Sequence, residues 1–284
     1  MKSLKYSILL LIIIIGCESE VDNVRLPEFQ QKLVIASFIS PADSESIIYV
    51  ISNQRLFGDL SIKELPGRLS GTISDGILEV GLDAIPGGLR LKHGALPIVP
   101  GQTYTLKVED DKGLKAEGMS TVPMPAEFNL ITDTFSVQYH EPGFLPWREY
   151  KVDIAFSDIQ DEENYYCIKG SITSYMTEDS SKTYSFDEPL YFEKKIFTDS
   201  EADTNNKIRL STGISGYFTS SDSAFLKIYL LNTEKSYYLY HRSLENYNKG
   251  DNPFTEPTPV YSNITGGFGI FASYTIDSLI FRLK

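Results

Sequence analysis

The sequence predicts an all-β protein, in which an N-terminal immunoglobulin/fibronectin-like sandwich is followed by a second antiparallel β domain with one helix. The chain holds 18 tyrosines and 16 phenylalanines against four methionines, and aromatic residues favour strands over helices. Several segments also alternate apolar and polar residues with period two, which is typical of half-buried antiparallel strands.

The clearest alternating segment begins a predicted hairpin. Tyr104, Leu106 and Val108 share one face of this segment, and a turn over 110–113 returns the chain into a second strand. Further strands are predicted at 33–39 and 47–52. Short strands at this spacing indicate that residues 24–123 form a small sandwich.

The second β domain is predicted over 124–284, because prolines at 123 and 125 mark the exit from the sandwich. The segment 149–156 alternates cleanly and predicts a strand with one apolar face. Other strand candidates cover 164–172, 190–197, 225–231 and 278–283. The length of the chain also exceeds the usual size of a single domain.

One helix is predicted near 234–249, between strands of the second domain. Apolar and aromatic residues recur at three- and four-residue steps, which places them on one helical face: Tyr237, Tyr240, Leu244 and Tyr247. Gly250 then supplies a C-terminal stop.

The first 16 residues have the layout of an export signal. Lys2 and Lys5 precede an apolar core of about eight residues, well short of the roughly 20 that a spanning helix needs. Gly16 comes directly before Cys17, as in bacterial lipoprotein signals. We therefore expect Cys17 to become an acylated N-terminus, and two or more acyl chains would anchor the protein stably. The alternative is an ordinary signal peptide with an incidental cysteine.

Residues 17–23 form a polar, acidic stretch that we interpret as a tether. The stretch resembles the acidic signals that send lipoproteins of the Bacteroidetes to the outer-membrane surface, and a plain spacer is the alternative. The expected location is therefore the outer membrane, with the chain lipid-anchored at the cell surface.

The mature chain is strongly acidic. Removal of Lys2 and Lys5 leaves 24 basic residues against 38 acidic ones, a formal net charge of −14. Such a chain repels nucleic acid and anionic lipid, so we expect no nucleic-acid partner. Acylation of Cys17 leaves Cys167 as the one free thiol, and its apolar neighbours predict a buried structural cysteine.

No catalytic or cofactor motif withstands inspection, so we expect a non-enzymatic protein without a cofactor. His140 and Glu141 open a zinc-protease pattern, but Phe144 stands where the second histidine belongs and Pro142 prevents the helix. The segment 267–272 matches the sequence pattern of a dinucleotide-binding motif. Too little chain follows it for the βαβ unit that such a motif requires, so we regard the match as accidental.

Acidic side chains are concentrated in the loop that precedes the strand predicted at 164–172. Carboxylate oxygens suit calcium, although the spacing is not that of an EF-hand and a solvated acidic turn is the alternative. The candidate ligands are Asp158, Asp161, Glu162 and Glu163.

The most specific pattern lies at 251–271, where the chain reads DNPFTEP from residue 251 and VYSNITGGFGIF from residue 260. This segment resembles the signature of domain of unknown function family 4249, a group of Bacteroidetes outer-membrane lipoproteins. Supporting matches lie at Cys17, Leu33–Ile35, Gly101–Leu106 with Val122–Pro123, Asn164–Tyr166 and the helix from Tyr237.

The resemblance implies an envelope location and a role beside TonB-dependent outer-membrane receptors, next to which members of the family often occur. It implies no enzymatic activity and carries over no catalytic residues. The stretch 55–88 departs from the family pattern.

The segment 251–271 has two interpretations. Its prolines fix extended or turn geometry, which predicts an ordered strap-like loop that packs across the second domain and stabilises it. In the functional interpretation the segment presents a surface to a ligand or partner. The residues of that surface are Asn252, Phe254, Tyr261 and Asn263.

The leading hypothesis is a lipid-anchored, non-enzymatic binding or accessory subunit of a TonB-dependent outer-membrane transport complex. Two alternatives stay open at this stage. One is a surface glycan or peptide hydrolase with an unidentified carboxylate pair, and the other is a calcium-stabilised adhesin module.

Overall fold

The computed structural model describes residues 28–55, 66–125, 132–139, 147–159, 162–178, 182–192, 194–202, 207–217, 223–248 and 259–282. The predicted signal peptide (1–16) and the tether (17–23), with Cys17, lie outside these ranges. Residues 31–54 and the described residues from 66 onward belong to one compact unit, which the following paragraphs describe. Phe29 and Arg55 belong to a second, small unit, where the Arg55 guanidinium lies 5.0 Å from the centre of the Phe29 ring.

A nine-stranded sheet combines strands from both halves of the chain. Its strands are β1 (Leu33–Ile39), β2 (Ser46–Ser52), β5 (Asp83–Ile85), β6 (Gly88–Leu91), β11 (Tyr165–Glu178), β12 (Lys182–Pro189), β13 (Ile196–Thr198), β15 (Ser223–Thr233) and β16 (Phe268–Arg282). The order across this large sheet is β12-β11-β15-β16-β1-β2-β6-β5, and β13 also pairs with β11.

Two smaller antiparallel sheets complete the β structure of the described residues. One has the order β4-β3-β7-β8 and the other has the order β14-β10-β9. Their strands are β3 (Leu69–Ser74), β4 (Glu79–Gly81), β7 (Thr103–Asp110), β8 (Lys115–Thr121), β9 (Thr132–Tyr139), β10 (Trp147–Ser157) and β14 (Lys207–Tyr217).

The large sheet buries one face, which we call the inner face, against the two smaller sheets. In the N-terminal half, Leu33 and Ile35 of β1 pack in one core with Leu106 of β7. In the C-terminal half, Leu226 of β15 packs in a second core with Phe156 of β10. Two sandwich cores therefore share one sheet, and the predicted all-β class is confirmed.

The predicted hairpin is confirmed as β7 and β8, and Asp110 explains why the chain turns there. The Asp110 carboxylate accepts the backbone N–H groups of Lys112 and Leu114 at 3.0 and 2.9 Å, and that of Gly67 at 2.9 Å. Gly113 has φ of 89°, a left-handed conformation that glycine adopts without strain. A side chain that satisfies turn amides in this way fixes the register of the two strands.

The first and last strands, β1 and β16, pair in parallel, with Val34 opposite Phe268 and Ile39 opposite Ser273. Gly269 has φ of 103°, and a Cβ at this position would collide with the backbone of Ile35. Only glycine therefore allows the two strands to approach here. The strap-like loop predicted over 251–271 is wrong for 268–271, because hydrogen bonding to β1 makes these residues the start of β16.

The strand predicted over 190–197 is also wrong in its extent, because among the described residues of this region only Ile196–Thr198 is a strand. The strand that precedes it is β12, which ends at Pro189. Proline restricts the chain at the end of β12, and Leu190 and Phe192 then turn their side chains into the C-terminal core. Their apolar character reflects burial in that core and not membership of a strand.

A helix, α1 (Lys235–Asn248), covers the middle of the opposite face of the large sheet, which we call the outer face. Tyr237 is 2% exposed, and its ring lies 5.2 Å from that of Phe38 on β1. The Tyr237 hydroxyl lies 3.9 Å from the Cys167 sulfur. The predicted helix is therefore confirmed to within one residue at each end, and Cys167 is buried as predicted.

A buried polar cluster joins the end of β8 to the start of α1. The Glu234 carboxylate accepts the Ser120 hydroxyl at 2.8 Å and the Thr121 backbone N–H at 2.9 Å. The Ser120 Oγ also lies 2.7 Å from that of Ser273 on β16. Burial raises the pKa of the Glu234 carboxyl to about 7, although its hydrogen bonds to Ser120 and Thr121 act in the opposite direction.

The two halves therefore contact each other along β1 and β16 and around Glu234. The predicted domain boundary at residue 123 stays a prediction. Within the described residues, no helix is both long enough and apolar enough to cross a membrane.

Candidate functional site

On the β2 side of α1, the outer face of the large sheet carries exposed apolar side chains. Val34 on β1 lies between Ile51 on β2 and Phe268 on β16, because both strands pair with β1 at that residue. Tyr49 lies two residues before Ile51 on the same face of β2, and the four side chains form what we call the outer patch. Tyr49, Ile51 and Phe268 are 62%, 60% and 45% exposed.

The chemistry of the outer patch suits contact with another protein. Exposed aromatic and aliphatic side chains that adjoin on a sheet mark interaction sites more often than scattered apolar residues do. The Lys32 ammonium lies 5.1 Å from the centre of the Phe268 ring, a cation–π contact at the rim of the patch. The patch can therefore bury apolar area at its centre and keep a charge at its edge.

The outer patch was not predicted, although the sequence contains a signal for it. β2 reads SIIYVIS, with apolar side chains on both faces of the strand. A strand that is buried on one face and open on the other normally alternates apolar with polar residues. The apolar residues Tyr49 and Ile51 break that alternation and remain exposed.

The predicted surface of the segment 251–271 is described only in part, because Asn252 and Phe254 lie outside the described residues. The Asn263 amide donates to the Phe271 carbonyl at 2.7 Å, and its oxygen accepts the Phe271 N–H at 3.0 Å. The Tyr261 N–H donates to the Ser243 hydroxyl of α1 at 2.9 Å, and the Tyr261 ring packs against the core beneath α1. Both residues fasten the chain between α1 and β16.

A groove of about 550 Å³ lies along β3, β7 and β8, and the turn at Thr265 and Gly266 forms one of its rims. Its charged lining residues are Glu79, Lys107, Glu109, Lys115 and Glu117. Lys115 pairs with Glu109 at 3.3 Å. The described lining contains no aromatic side chain on which a sugar ring could stack, so the groove is suited to small polar ligands.

The acidic loop that holds the calcium candidates is organised by an amide group. The Asn164 side chain donates to the carbonyl oxygens of Ile159 and Glu162 at 2.9 and 3.0 Å. Asp158 accepts the Tyr166 hydroxyl at 2.7 Å, and burial raises the pKa of the Asp158 carboxyl.

Of the other calcium candidates, the structure describes Glu162 and Glu163. Glu163 lies 3.3 Å from the Lys235 ammonium, and Asp161 lies outside the described residues. In the part of the chain that the structure describes, no group of three or more His, Cys, Asp or Glu side chains could hold a metal ion.

The buried groups beneath α1 pack against one another, because Tyr237 contacts both Cys167 and His241. Burial raises the pKa of the Cys167 thiol, so the reactive thiolate is disfavoured. Burial also lowers the pKa of His241 to about 4, which keeps the imidazole neutral at physiological pH. The His241 ring is stacked 5.4 Å from that of Phe38.

Comparison with protein families gives one match that spans both halves of the chain. The model of the family described as Domain of unknown function (DUF4249) matches residues 20–280. The chain belongs to this family. The DUF4249 match covers β1, α1, both smaller sheets and all but the last two residues of β16, so the predicted family is confirmed. Comparison with curated proteins finds no match.

Proposed function

We propose that this DUF4249 protein is a lipid-anchored subunit of the cell envelope that binds an integral outer-membrane protein, a TonB-dependent receptor, and has no enzymatic activity of its own. The observation that carries the proposal is the outer patch. Tyr49 and Ile51 have well over half of their surface exposed, beside Phe268 and Val34 on a regular sheet. A partner that covers them would bury apolar area that the isolated chain leaves in water.

The mature net charge favours a protein partner over a lipid surface. At −14, the chain is repelled by anionic headgroups. The outer patch carries Lys32 at its rim, but one cation at an exposed site adds only about 1 kcal/mol to membrane binding. An exposed surface of Tyr, Ile and Phe matches the apolar composition of protein interface centres.

The proposed anchor also limits where the partner can be. Leu33, the first residue of β1, lies sixteen positions after Cys17. A fully extended chain of that length spans at most about 55 Å. The outer patch begins one residue further, at Val34, so it stays within reach of a protein embedded in the same membrane.

The test is an affinity purification of the tagged, full-length protein from its native outer membrane. Ile51→Asp places a charge within the outer patch and should reduce recovery of the receptor at least about tenfold, which corresponds to 1.4 kcal/mol of binding free energy. Ile280→Asp is the matched control, because Ile280 is 64% exposed on the same face at the far end of β16. Cys17→Ala, which prevents acylation, should recover no receptor.

Equal recovery of a receptor with Ile51→Asp and with wild type would exclude the outer patch as the binding surface. Recovery of the tagged protein alone, from wild-type cells, would overturn the proposed function as a whole.

A further inference from the structure

The large sheet ends in two edge strands that differ in length. β5 at one edge has three residues, Asp83–Ile85, whereas β12 at the other edge has eight, Lys182–Pro189. Among the described residues, β12 pairs with β11 alone. Short edge strands are a common protection against unwanted strand pairing, and β12 lacks that protection.

The register of β12 shows which of its backbone groups point away from the sheet. The Leu190 N–H donates to the Gly170 carbonyl, so the backbone N–H and C=O groups of residue 190 point toward β11. Backbone groups alternate in direction along an antiparallel strand. The N–H and C=O groups of Thr183, Ser185 and Asp187 therefore point outward, to the open edge.

Pro189 agrees with this assignment. It falls in the outward-pointing set, and proline has no N–H to offer at the open edge. It is also the last residue of the strand, so the edge formed by 183–188 is uninterrupted. Three residues, Thr183, Ser185 and Asp187, present both a donor and an acceptor to a strand laid alongside.

The side chains of β12 from Thr183 onward are not part of the core of the protein. Every residue from Thr183 to Pro189 is exposed. Tyr184 and Phe186 lie on one face of the strand and are 45% and 52% exposed. On the other face, the Asp187 carboxylate accepts the Thr173 hydroxyl at 2.5 Å, which holds β12 to β11.

We propose that the open edge of β12 accepts an extended segment of a partner protein as an added β-strand. The row of outward N–H and C=O groups selects a strand, because only an extended backbone satisfies donors and acceptors at this spacing. Apolar side chains at alternate positions of the added segment would lie beside Tyr184 and Phe186. Asp187 and Glu188 favour Lys or Arg near one end of that segment.

The identity of the partner rests on the proposed function. If that function is correct, the added strand is a segment of the same receptor that contacts the outer patch. The two contacts are on different elements of the large sheet, so each can be tested without the other.

The first test places the photo-crosslinking residue p-benzoylphenylalanine at position 185 of the full chain in its native membrane. Adducts should map to one contiguous segment of a single protein. The matched control carries the same residue at Ala84, an exposed position on β5. We expect at least about tenfold less adduct at position 84 than at position 185. A tenfold ratio corresponds to 1.4 kcal/mol of binding free energy.

The second test compares Ser185→Pro with Ser185→Ala by affinity purification. Proline removes the outward N–H and leaves the hydrogen bonds to β11 in place, so the variant should fold and lose the partner. Ser185→Ala keeps the N–H and should retain it. Equal partner recovery by the two variants, or adducts at 185 that are scattered or no stronger than at 84, would overturn the inference.

The two proposals fail in distinguishable ways. If the receptor is recovered by wild type but position 185 gives no adduct, strand addition is wrong and the proposed function stands. If no receptor is recovered but position 185 crosslinks to one segment of another protein, strand addition stands and the receptor assignment is wrong.

Discussion

Glu234 shows how far the role of one residue depends on distant parts of the chain. In the sequence it is an acidic residue at the start of a predicted helix, a position where carboxylates are common because they face the positive end of the helix dipole. In the fold it is buried against Ser120 and Thr121, which lie more than a hundred positions earlier. One of its oxygens, Oε1, is buried without a hydrogen-bond partner in the described part of the chain.

We therefore expect Glu234 to make the stability of the protein depend on pH. Its pKa is about 7 in the folded chain and 4.5 for the free side chain, so the folded state holds the proton more tightly. The stabilisation is fully present below pH 4.5 and is lost as the pH rises through 7. The shift corresponds to a loss on the order of 3 kcal/mol in the free energy of unfolding.

Urea unfolding of wild type and Glu234→Gln, at about pH 5 and about pH 8, measures this effect, because glutamine does not titrate. The variant should gain stability relative to wild type as the pH rises. Burial also raises the pKa of Asp43 and Asp158, but these groups titrate in both proteins and cancel in the comparison. A difference in stability that is the same at both pH values would contradict the assignment.

At the scale of elements, α1 and β12 represent opposite outcomes of sequence-based prediction. The helix was predicted because its tyrosines recur at helical spacing, and that spacing is set by the face that meets the sheet. β12 was missed although Thr183, Tyr184, Ser185 and Phe186 alternate. Leu190 and Phe192, which follow β12, are also apolar, but they are buried by turning into a core. Of the described residues in the predicted strand at 190–197, only those of Ile196–Thr198 belong to a strand.

The tyrosines of α1 are expected to contribute unequally to stability. Tyr237→Ala removes a buried ring that packs against Phe38 and His241, and should cost about 3 to 5 kcal/mol. Tyr247→Ala removes a ring of the same helix that is 56% exposed, and should cost within about 0.5 kcal/mol. Chemical unfolding of both variants provides the measurement. Equal losses would show that α1 does not dock on the sheet through Tyr237.

At the scale of the whole molecule, the pairing of β1 with β16 unites the two halves. The core around Leu33 and Ile35 also contains Ile264 and Phe271, which come from the far end of the chain. The fragment 24–123 would lose these side chains and expose the edge of β1 to solvent. The fragment 124–284 would lose the strand beside β16.

We therefore expect neither 24–123 nor 124–284 to unfold cooperatively when expressed alone, whereas the mature chain should unfold in a single transition. Circular dichroism during urea titration distinguishes these outcomes. Mixing the two fragments should restore part of the transition, because the β1 edge and the β16 edge are then both present. A sharp transition of 24–123 alone would instead support an independent domain that ends near residue 123.

The sequence alone determined the all-β class, the β7–β8 hairpin, the helix and the family, because each rests on periodicity or on a motif that short stretches of chain carry. The tertiary structure alone decided that β1 pairs in parallel with β16, that Val34, Ile51 and Phe268 adjoin, and that Glu234 is buried. These contacts join residues up to about 230 positions apart, and the local pattern is the same whichever distant strand lies beside it. Long-range pairing depends on how all the strands share one sheet, so it appears only when the chain is folded.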